Sequence, residues 1–397
     1  MKAVILAAGE GTRLRPFTVS KPKVMIPIAN RPIMEYAVEA LAQNGIRDII
    51  FIVGYKKERI MSHFEDGNKF DVNIKYLTQP KPLGTAHALQ FAEKEIDSDF
   101  LALPGDNLID PKEISKLMES EGDNSLLIAE SQIPSKYGVV FLEKETVTRI
   151  VEKPEENISN LISTGIYRFT PEVFDAIKTI GEQGNNDLTA VVQHMIEKGK
   201  KISGIYGIGK WVDAVFPWDI LHINASAMLE AKMGTAGNIE KGVTIKGQVF
   251  IGDESVVRSG SYIEGPVVIG KGCSIGPNVC ILPSTSMGDN VSIQPFTMVR
   301  HSVIMNDVQL GSSSTISNSV IGDGVRIGSH FATNNGEALI KIESGYHSVN
   351  DIGALIGEDT EIGDQVVACP GALIGAKCVI SSSNKLEGTL PNRSMVR

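Results

Sequence analysis

Residues 251–275 read IGDESVVRSGSYIEGPVVIGKGCSI, with an aliphatic residue at every sixth position from Ile251 to Ile275. The same spacing extends without a slip from Ile239 to Val299. A period of six fits neither a helix face nor the alternation of an ordinary strand, but it is typical of a parallel β-helix built from hexapeptide repeats. Each repeat contributes one short strand and a turn, and its aliphatic side chain points into the coil. These residues are therefore predicted to form a core rather than to contact a ligand.

After Val299 the repeat has a shortened step and then one longer interruption. The step shortens to five residues between Val299 and Ile304, and the pattern then continues to Ile327. It is lost over residues 328–355 and resumes at Ile356. We interpret the interruption as a loop that leaves the coil, because such loops on solenoid proteins often carry the binding face.

Composition divides the chain after residue 237. The length of 397 residues exceeds that of a usual single domain. Charged residues make up 59 of the first 237 positions but only 26 of the remaining 160, while glycine becomes more frequent. We therefore expect two domains, over residues 1–237 and 238–397.

The first domain alternates short apolar runs with amphipathic stretches. Apolar runs at 3–8, 48–53 and 99–103 predict strands, and the stretches 33–43 and 86–94 predict helices. This βαβ rhythm predicts an α/β domain, with helices on the faces of a mostly parallel sheet. A helix over 217–232 is expected to close the domain, with Gly234 supplying its terminal left-handed turn.

Charge and composition exclude several classes of protein. The net charge of −9 argues against a nucleic-acid partner, because binding to a phosphate backbone requires a basic face. The apolar runs are shorter than a membrane helix, and the run at the start of the chain is too short for a signal peptide. The four cysteines have neither metal-like spacing nor the density of a disulfide scaffold. We expect a cytoplasmic protein with reduced, packed cysteines and with neither a nucleic-acid nor a membrane partner.

A glycine-rich turn follows the first apolar run. Residues 6–16 read LAAGEGTRLRP. Gly9 and Gly11 would let the backbone approach a phosphate, and Thr12 and Arg13 would supply hydrogen-bond donors. The segment lacks the Gly-Lys-Ser/Thr of a P-loop and the third glycine of a dinucleotide fingerprint. It therefore predicts a different kind of phosphate site.

This turn, with the Ser-Lys-Pro-Lys of residues 20–23, resembles the signature of the sugar-1-phosphate nucleotidyltransferases. Further segments are similar to motifs of that family in the same order along the chain: 79–86, 104–107, 137–139, 152–154, 164–167 and 211–213. The resemblance implies a Rossmann-like α/β nucleotidyltransferase domain. Its substrates would be a nucleoside triphosphate and a sugar-1-phosphate.

The resemblance also implies a role for each matching residue. Asp106 and Asp213 would hold Mg²⁺, Arg13 would bind the β- and γ-phosphates, and Lys23 would act at the transferring phosphoryl group. Gln79 would read the edge of a pyrimidine base. The implied nucleotide contacts are Leu6, Ala7, Gly9, Gly11, Thr12, Gln79, Gly84 and Thr85. The implied contacts to the sugar phosphate are Gly138, Glu152, Lys153 and Gly165.

The implied reaction explains why these residue types are needed. An oxygen of the sugar-1-phosphate attacks the α-phosphorus of the triphosphate in line, and pyrophosphate leaves. The nucleophile is already an anion, so catalysis requires positioning and relief of charge repulsion rather than a general base. Two carboxylates suit Mg²⁺, which usually takes one or two of them together with substrate oxygens. The choice between UTP and dTTP, and the identity of the sugar, stay open.

A nucleotidyltransferase domain followed by a hexapeptide β-helix resembles two families. The first is a group of bifunctional enzymes, partly archaeal, whose left-handed β-helix acetylates glucosamine-1-phosphate with acetyl-CoA as cosubstrate. The second is the glucose-1-phosphate adenylyltransferase type, whose β-helix is structural or regulatory. The first family is favoured by the sequence of residues 6–16, by Gln79 and by the length of the β-helix. β-Helices of this type resemble trimers, so a homotrimer is expected.

One departure from the acetyltransferase pattern leaves the second activity open. When the family motif is aligned on residues 319–322, its catalytic histidine falls at Ser312 and its tyrosine at Thr315. A hydroxyl group cannot replace imidazole as a base near pH 7. The departure therefore favours a structural or regulatory module over a second enzyme.

Other residues in the interruption could still supply an acetyltransferase site. Asn335 matches an asparagine that contacts acetyl-CoA and the amine in that family. His330 opens the same segment and is our first choice for a substitute base. His301 and His347 are the alternatives.

Overall fold

The computed structural model describes residues 1–156, 158–209, 211–230 and 233–397. By packing, the chain forms two compact units, one of Met1–Glu10 with Ile33–Val212 and the other of Gly11–Pro32 with Asp213–Arg397. The segment 11–32 carries Arg13 and Lys23, and it belongs to the unit that contains the β-helix. The domain boundary after residue 237 stays a prediction.

The elements before the β-helix follow one another in α/β order. The strands are β1 (Lys2–Ala7), β2 (Pro27–Ile28), β3 (Arg31–Pro32), β4 (Asp48–Val53), β5 (Asn73–Thr78), β6 (Phe100–Pro104), β7 (Asn107–Ile109), β8 (Asn124–Glu130), β9 (Gly138–Glu143), β10 (Thr146–Glu152), β11 (Leu161–Phe169), β12 (Ile202–Tyr206) and β13 (Trp211–Asp213). The α-helices are α1 (Ile33–Gln43), α2 (Lys57–Phe64), α3 (Thr85–Gln90), α4 (Pro111–Met118), α5 (Val173–Glu182), α6 (Leu188–Glu197) and α7 (Asp219–Met228). Short 3₁₀ helices lie at Thr12–Leu14, Lys23–Met25, Asn68–Phe70, Glu93–Glu95 and Pro134–Lys136.

The first unit is organised by one mixed sheet in the order β5-β4-β1-β6-β11-β8-β12-β10-β9. Strands β5, β4, β1 and β6 are parallel, as predicted, whereas β11 runs antiparallel to both β6 and β8. Beyond β11 the strands β8 and β12 again pair in parallel, whereas β10 runs antiparallel to both β12 and β9. The sheet is thus mostly parallel, as predicted, with β11 and β10 as its reversed strands. Strands β9 and β10 form an antiparallel pair joined only by residues 144–145, a connection too short for a parallel crossover.

The central strand β1 shows why this sheet forms. Ala3, Val4 and Ile5 are fully buried, and β1 is hydrogen-bonded on both sides by parallel neighbours. A continuous apolar run is typical of a parallel strand covered on both faces. Helix α1 has the predicted bounds, but the helix predicted over 86–94 is the shorter α3, which starts at Thr85, ends at Gln90 and is followed by a 3₁₀ turn. There Phe91 and Ala92 donate to carbonyls three residues back, which tightens the chain and ends the α-helix.

The predicted left-handed β-helix is confirmed, with three parallel sheets. The first sheet contains Gly234–Thr235, Val249–Ile251, Val267–Ile269, Thr285–Met287, Val303–Ile304, Val320–Ile321, Ala354–Ile356, Ala372–Ile374 and Thr389–Leu390. The second contains Asn238–Ile239, Val256–Val257, Ser274–Ile275, Ser292–Ile293, Gln309–Leu310, Arg326–Ile327, Glu361–Ile362, Val379–Ile380 and Met395–Val396. The third contains Thr244–Lys246, Tyr262–Glu264, Cys280–Ile281, Met298–Arg300, Thr315–Ser317, Ala332–Thr333, Val367–Ala368 and Lys385–Leu386.

The register of the coils reproduces the sequence period. Val249 pairs with Val267, so one coil takes 18 residues, or three hexapeptides. Met287 pairs with Ile304 and Ile304 with Ile321, so each of these coils has 17 residues, which accounts for the steps of five at Val299–Ile304 and Ile316–Ile321. The predicted aliphatic positions from Ile251 onward fill one continuous core inside the coil.

The interruption is a hairpin rather than a loop, and it is shorter than predicted. Ala332–Thr333 still pairs within the coil, and the chain returns to it at Ala354–Ile356. Between these points Gly336–Ile342 and Gly345–Ile352 pair as antiparallel strands, which we call the coil hairpin. The side chains of its first strand alternate in exposure, which is the pattern of a strand with one covered face. The chain therefore leaves the coil as predicted, but over fewer residues than 328–355 and as a paired hairpin instead of a loop.

The closing helix α7 ends at Met228, earlier than predicted. Gly234 does not form a left-handed helix cap, because Gly234–Thr235 already pairs with Phe250 and Ile251 as the first strand of the coil. Part of the predicted helix, residues 231 and 232, lies outside the described residues.

The cysteines and the helices bear on two further expectations. All four cysteines have free thiols; Cys273 and Cys378 are buried, as predicted for packed thiols, whereas Cys280 and Cys369 are partly exposed. Among the described residues, none of the helices has both the length and the apolar character needed to cross a membrane.

Candidate functional site

The predicted base-reading residue Gln79 lies directly after β5 and is buried. Its side-chain Nε2 lies 3.3 Å from the carbonyl oxygen of Gly84 and 2.7 Å from Nδ1 of His87. A carbonyl oxygen can only accept, so the atom that faces Gly84 is the amide nitrogen, and it also donates to His87. These two contacts fix the orientation of the Gln79 amide.

Gly84 and Thr85 attach this segment to residues 185–188. Gly84 has φ +150°, and a Cβ at this position would lie 2.4 Å from the carbonyl oxygen of Asn186. The hydroxyl oxygen of Thr85 accepts a hydrogen bond from the backbone N–H of Leu188 at 3.0 Å. Glycine is thus required at Gly84 for close packing, and Thr85 has a structural bond in addition to its predicted nucleotide contact.

Three of the four predicted sugar-binding residues, Gly138, Glu152 and Lys153, meet at β9 and the end of β10, whereas Gly165 lies on β11. Gly138 pairs with Glu152 across the two strands, and Lys153 donates its backbone N–H to the Tyr137 carbonyl at 3.0 Å. Lys153 Nζ lies 2.6 Å from Glu152 Oε1. A Cβ at Gly138 would lie 2.6 Å from the methyl group of Thr189 on α6, so glycine is needed here as well.

Asp187 links the base-reading segment to the predicted sugar-binding residues, and the sequence did not indicate it. It immediately precedes α6, and burial together with the negative charge of Glu152 raises its pKa, while Lys153 lowers it. Its neighbours Asn186 and Leu188 hold the base-reading segment. An aspartate directly before an apolar helix is a recognisable cap signal, but nothing in the sequence links it to Glu152.

Leu6, Ala7 and Asp106 lie where parallel strands end. Ala7 pairs with Val53 of β4, and Leu6 accepts a hydrogen bond from the backbone N–H of Gly105 at 3.1 Å. Asp106 follows β6 by two residues and Gly9 follows β1 by two. The carboxyl ends of parallel strands are where α/β sheets bind ligands. A Cβ at Gly165 would lie 3.5 Å from the nearby Pro104.

Within the glycine turn, Gly11 is the position that leaves no room for a side chain. It has φ +70°, and a Cβ would lie 2.7 Å from Cβ of Lys23. Its carbonyl accepts from the Thr18 hydroxyl at 2.9 Å. A side chain at Gly9, by contrast, would meet no atom within 4 Å. Glycine at position 11 is therefore needed to bring Lys23 against the turn.

Lys23 lies beside the second predicted metal ligand. Its Nζ is 3.5 Å from Oδ1 of Asp213, and both side chains are largely buried. The ammonium group partly offsets the negative charge of this carboxylate. Asp106 belongs to the first unit and Asp213 to the second, so the shared metal site stays a prediction.

Arg13 and Thr12 contact a carboxylate that the sequence did not single out. Arg13 Nε lies 3.2 Å from Oε2 of Glu343, and the Thr12 hydroxyl donates to Oε1 at 3.3 Å. Glu343 lies in the turn of the coil hairpin, 330 positions away in the sequence. Only the folded hairpin brings it to the predicted phosphate-binding residues.

Segment 11–32 is held on the coil by polar contacts along its length. Lys21 forms an ion pair with Asp323, and its Nζ also lies 3.7 Å from the sulfur of Met305. The Ser20 hydroxyl donates to the carboxylate of Glu358.

A second anchor lies at the turn between β2 and β3. The turn residues Ala29 and Asn30 both have positive φ, as a two-residue hairpin turn requires. Ala29 donates its backbone N–H to Oδ1 of Asn224 in α7 at 2.8 Å, and Asn30 donates to the carbonyl of Met287 in the coil. Asn224 Oδ1 also accepts from the Ser286 hydroxyl at 2.8 Å, so helix α7, the turn and the coil share one buried hydrogen-bond centre.

The three candidate histidines of the second domain have different environments. His330 lies at an exposed corner of the coil. The ring of His347 packs against Phe216 and Trp218, with centroids 4.3 and 5.9 Å away, so its role there is packing. His301 is half-buried, and burial lowers its pKa.

A polar cluster surrounds His301. Because Arg300 pairs with Ser317, His301 and Asn318 occupy the same corner in successive coils. Asn318 donates to the backbone carbonyl of Asp351 at 2.5 Å, and Asn335 donates to its carboxylate at 3.2 Å. The hydrogen bond from Asn335 to the carboxylate is the main cause that lowers the pKa of Asp351. The predicted residue Asn335 is therefore tied to Asp351, which the sequence did not indicate.

The described residues contain no group of three or more histidine, cysteine, aspartate or glutamate side chains arranged to hold a metal. Mg²⁺ does not need such a group, since one or two carboxylates and substrate oxygens suffice. Asp213, held beside Lys23, fits that requirement as one ligand.

A family model described as nucleotidyl transferase matches residues 2–227. The chain belongs to the nucleotidyltransferase family. A second model, described as the GMPPB C-terminal domain, matches residues 263–341 of this nucleotidyltransferase.

Relatives match the nucleotidyltransferase over nearly its whole length. It is 34% identical to the Bifunctional protein GlmU of Methanocaldococcus jannaschii, over 100% of this chain and 97% of that one. It is also 34% identical to the bifunctional sugar-1-phosphate nucleotidylyltransferase/acetyltransferase of Sulfurisphaera tokodaii, over 95% and 94%. A crystal structure from Bacillus anthracis, named "Putative Glucose-1-Phosphate Thymidylyltransferase", matches with a TM-score of 0.55 and 28% identity, over 59% of this chain and 97% of that one.

Replacing Gly11 tests the local geometry of the turn. We expect Gly11→Ala to lower kcat/KM of this nucleotidyltransferase by about tenfold or more, because its Cβ would displace Lys23. Gly45→Ala is the matched control, since Gly45 also has positive φ but its added Cβ meets no atom within 4 Å. Pyrophosphate release measures both variants. Equal losses of activity would show that backbone strain, not the position of Lys23, is responsible.

Proposed function

We propose that this nucleotidyltransferase transfers the nucleotidyl group of UTP or dTTP to a sugar-1-phosphate and releases pyrophosphate. The orientation of Gln79 carries the pyrimidine part of the proposal. Both side-chain hydrogen bonds found for Gln79 among the described residues use Nε2. Oε1 is then the atom that accepts the N3–H of uracil or thymine, whereas cytosine has no proton at N3.

The phosphate chemistry is assigned to segment 11–32. Arg13 and Thr12 would bind the β- and γ-phosphates, and Lys23 would offset the charge that develops at the α-phosphoryl group. Mg²⁺, held by Asp106 and Asp213, would supply further neutralisation of the triphosphate. The close contact of Gly11 with Lys23 supports this role, because the ammonium group is held by backbone geometry rather than by a flexible loop.

The sugar phosphate is assigned to the residues around Glu152. The Glu152 carboxylate would accept hydrogen bonds from sugar hydroxyls, and Lys153, which is exposed, would meet the phosphate. Asp187 adds a second carboxylate whose pKa is raised by burial and by Glu152. The name of the Sulfurisphaera tokodaii relative, which includes sugar-1-phosphate, supports this substrate class.

Removing the Lys23 ammonium group tests the phosphate assignment. We expect Lys23→Ala to reduce kcat by about 10²-fold, as for the loss of one preorganised donor. Lys198→Ala, at the exposed end of α6, removes the same charge away from the proposed site and should leave turnover unchanged. Near-normal turnover of Lys23→Ala would remove Lys23 from the mechanism.

A panel of UTP, dTTP, CTP, GTP and ATP tests the base assignment through pyrophosphate release. We expect UTP or dTTP to be preferred. In His87→Ala the KM for the preferred triphosphate should rise about tenfold, because the Gln79 amide loses its stronger anchor. His194→Ala on α6 is the control and should leave that KM unchanged. A preference for ATP would contradict the proposal.

We propose N-acetyl transfer from acetyl-CoA to the amine of a sugar-1-phosphate as a second activity, in the β-helix. The cluster of His301, Asn318, Asn335 and Asp351 is the observation that favours it. The names of the archaeal relatives, one of which includes acetyltransferase, also support it. His301, rather than the exposed His330, would take the proton of the amine as its nitrogen bonds to the acetyl carbon. The bond from that carbon to sulfur breaks, and the coenzyme A thiolate then takes up the proton.

Release of free thiol from acetyl-CoA in the presence of glucosamine-1-phosphate tests the second activity. We expect His301→Ala to abolish the release and His330→Ala to retain it. Burial lowers the pKa of His301, Asp351 opposes that effect, and the charges of Arg300 and His222 lower the pKa further. The base is the neutral imidazole, so the rate should fall as the pH is lowered and His301 is protonated. The midpoint of this fall should lie below pH 6.5, the ordinary histidine pKa. No release by the wild type, or equal release by both variants, would contradict the assignment.

A further inference from the structure

The turn of the coil hairpin places a carboxylate on the residues assigned to the triphosphate. Glu343 contacts Arg13 through Oε2 and the Thr12 hydroxyl through Oε1, at 3.2 and 3.3 Å. One carboxylate thus bridges two donors in the way that two oxygens of a phosphate group would. All three residues lie in the same compact unit, so the contact belongs to its packing.

The hairpin gives this contact a defined geometry. Its strands pair from Gly336 and Ile352 up to Ile342 and Gly345, and Ile340 and Ile342 are buried. Glu343 follows directly with φ +53°, so its backbone is set by the two-residue turn. The carboxylate is therefore presented by a paired β-ribbon rather than by a free loop.

A triphosphate and Glu343 cannot use the same donors together. Glu343 occupies the Nε–H of Arg13 and the Thr12 hydroxyl, and a phosphate group on the other guanidinium donors would meet the like charge of the Glu343 carboxylate. The Glu343 and Arg13 side chains are about half exposed, at 51% and 43%, so the pair is screened by solvent and readily exchanged. Glu343 thus has the properties of a group that competes weakly with the triphosphate for Arg13 and Thr12.

We propose that Glu343 is a further residue of the nucleotidyl-transfer site, occupying Arg13 and Thr12 in the free enzyme until the polyphosphate of the nucleotide displaces it. This inference rests on the proposed function, in which Arg13 and Thr12 bind the β- and γ-phosphates. It adds that the apparent affinity for nucleotide, and for the product pyrophosphate, is set in part by the β-helix unit.

Removing the charge of Glu343 tests the competition. We expect Glu343→Gln to lower the KM for the triphosphate by about two- to fivefold with kcat unchanged, the range expected for losing one exposed ion pair. The difference should shrink as salt is raised, because salt screens the pair that the wild type must break. Glu343→Gly, which suits the positive φ of the turn, should have the same effect.

Glu337→Gln is the matched control, since Glu337 is an exposed glutamate on the same hairpin. It should leave the KM unchanged. Binding of inorganic tripolyphosphate, measured by calorimetry, gives a readout without turnover, and it should tighten in Glu343→Gln but not in Glu337→Gln.

The outcomes separate this inference from the function on which it rests. If the wild type transfers nucleotide but Glu343→Gln shows an unchanged or raised KM and unchanged tripolyphosphate binding, Glu343 is not a competitor. If KM rises and kcat falls, Glu343 positions Arg13 for catalysis, and the competition is refuted. If the wild type shows no nucleotidyl transfer with any triphosphate, the proposed function itself fails.

Discussion

The packing of segment 11–32 on the β-helix is the interaction on which the predicted phosphate site depends. The segment carries Arg13 and Lys23, and a partly buried ion pair from Lys21 to Asp323 holds it on the coil. A second anchor is the buried side chain of Asn224, which binds the turn between β2 and β3 as well as a coil serine. Since positioning dominates catalysis of phosphoryl-type transfer, the proposed roles of Arg13 and Lys23 would depend on the coil even though the coil itself is not proposed to contact the phosphates.

The fold could be predicted where one periodicity determines the structure. The hexapeptide repeat predicted the β-helix, because every sixth side chain must enter the same core, and three repeats make the 18-residue coil. The α/β alternation likewise predicted α1 and the parallel strands around β1. Sheet order and helix ends are set by partners distant in the chain. The reversed strands β10 and β11, the coil hairpin and the end of α7 at Met228 were therefore not visible in the sequence.

In the candidate site, too, the features set by a local motif could be predicted and those set by distant partners could not. Gln79 and Gly84 could be found because their short motif contains both a side chain and the glycine its backbone requires. Their partners could not be found, because a single sequence does not show which distant residues fold against a motif. Asp187, directly before α6, interacts electrostatically with Glu152 and Lys153, and Glu343 reaches Arg13 only when the coil hairpin forms. The sequence favoured a structural or regulatory β-helix because Ser312 stands where the acetyltransferase motif has its histidine. The cluster around His301 forms only when successive coils stack, so no local motif reveals it.

The most direct test of this account is amide hydrogen exchange over residues 11–32 in Asp323→Asn, combined with the rate of nucleotidyl transfer. Asparagine retains an oxygen for the backbone N–H of Asn306, which Asp323 accepts at 3.0 Å, but it removes the ion pair with Lys21. We predict faster exchange over residues 11–32 and a lower kcat/KM, with exchange in the strands of the coil unchanged. If residues 11–32 exchange as slowly as in the wild type and turnover is unaltered, the phosphate-binding residues do not depend on the β-helix, and the account is contradicted.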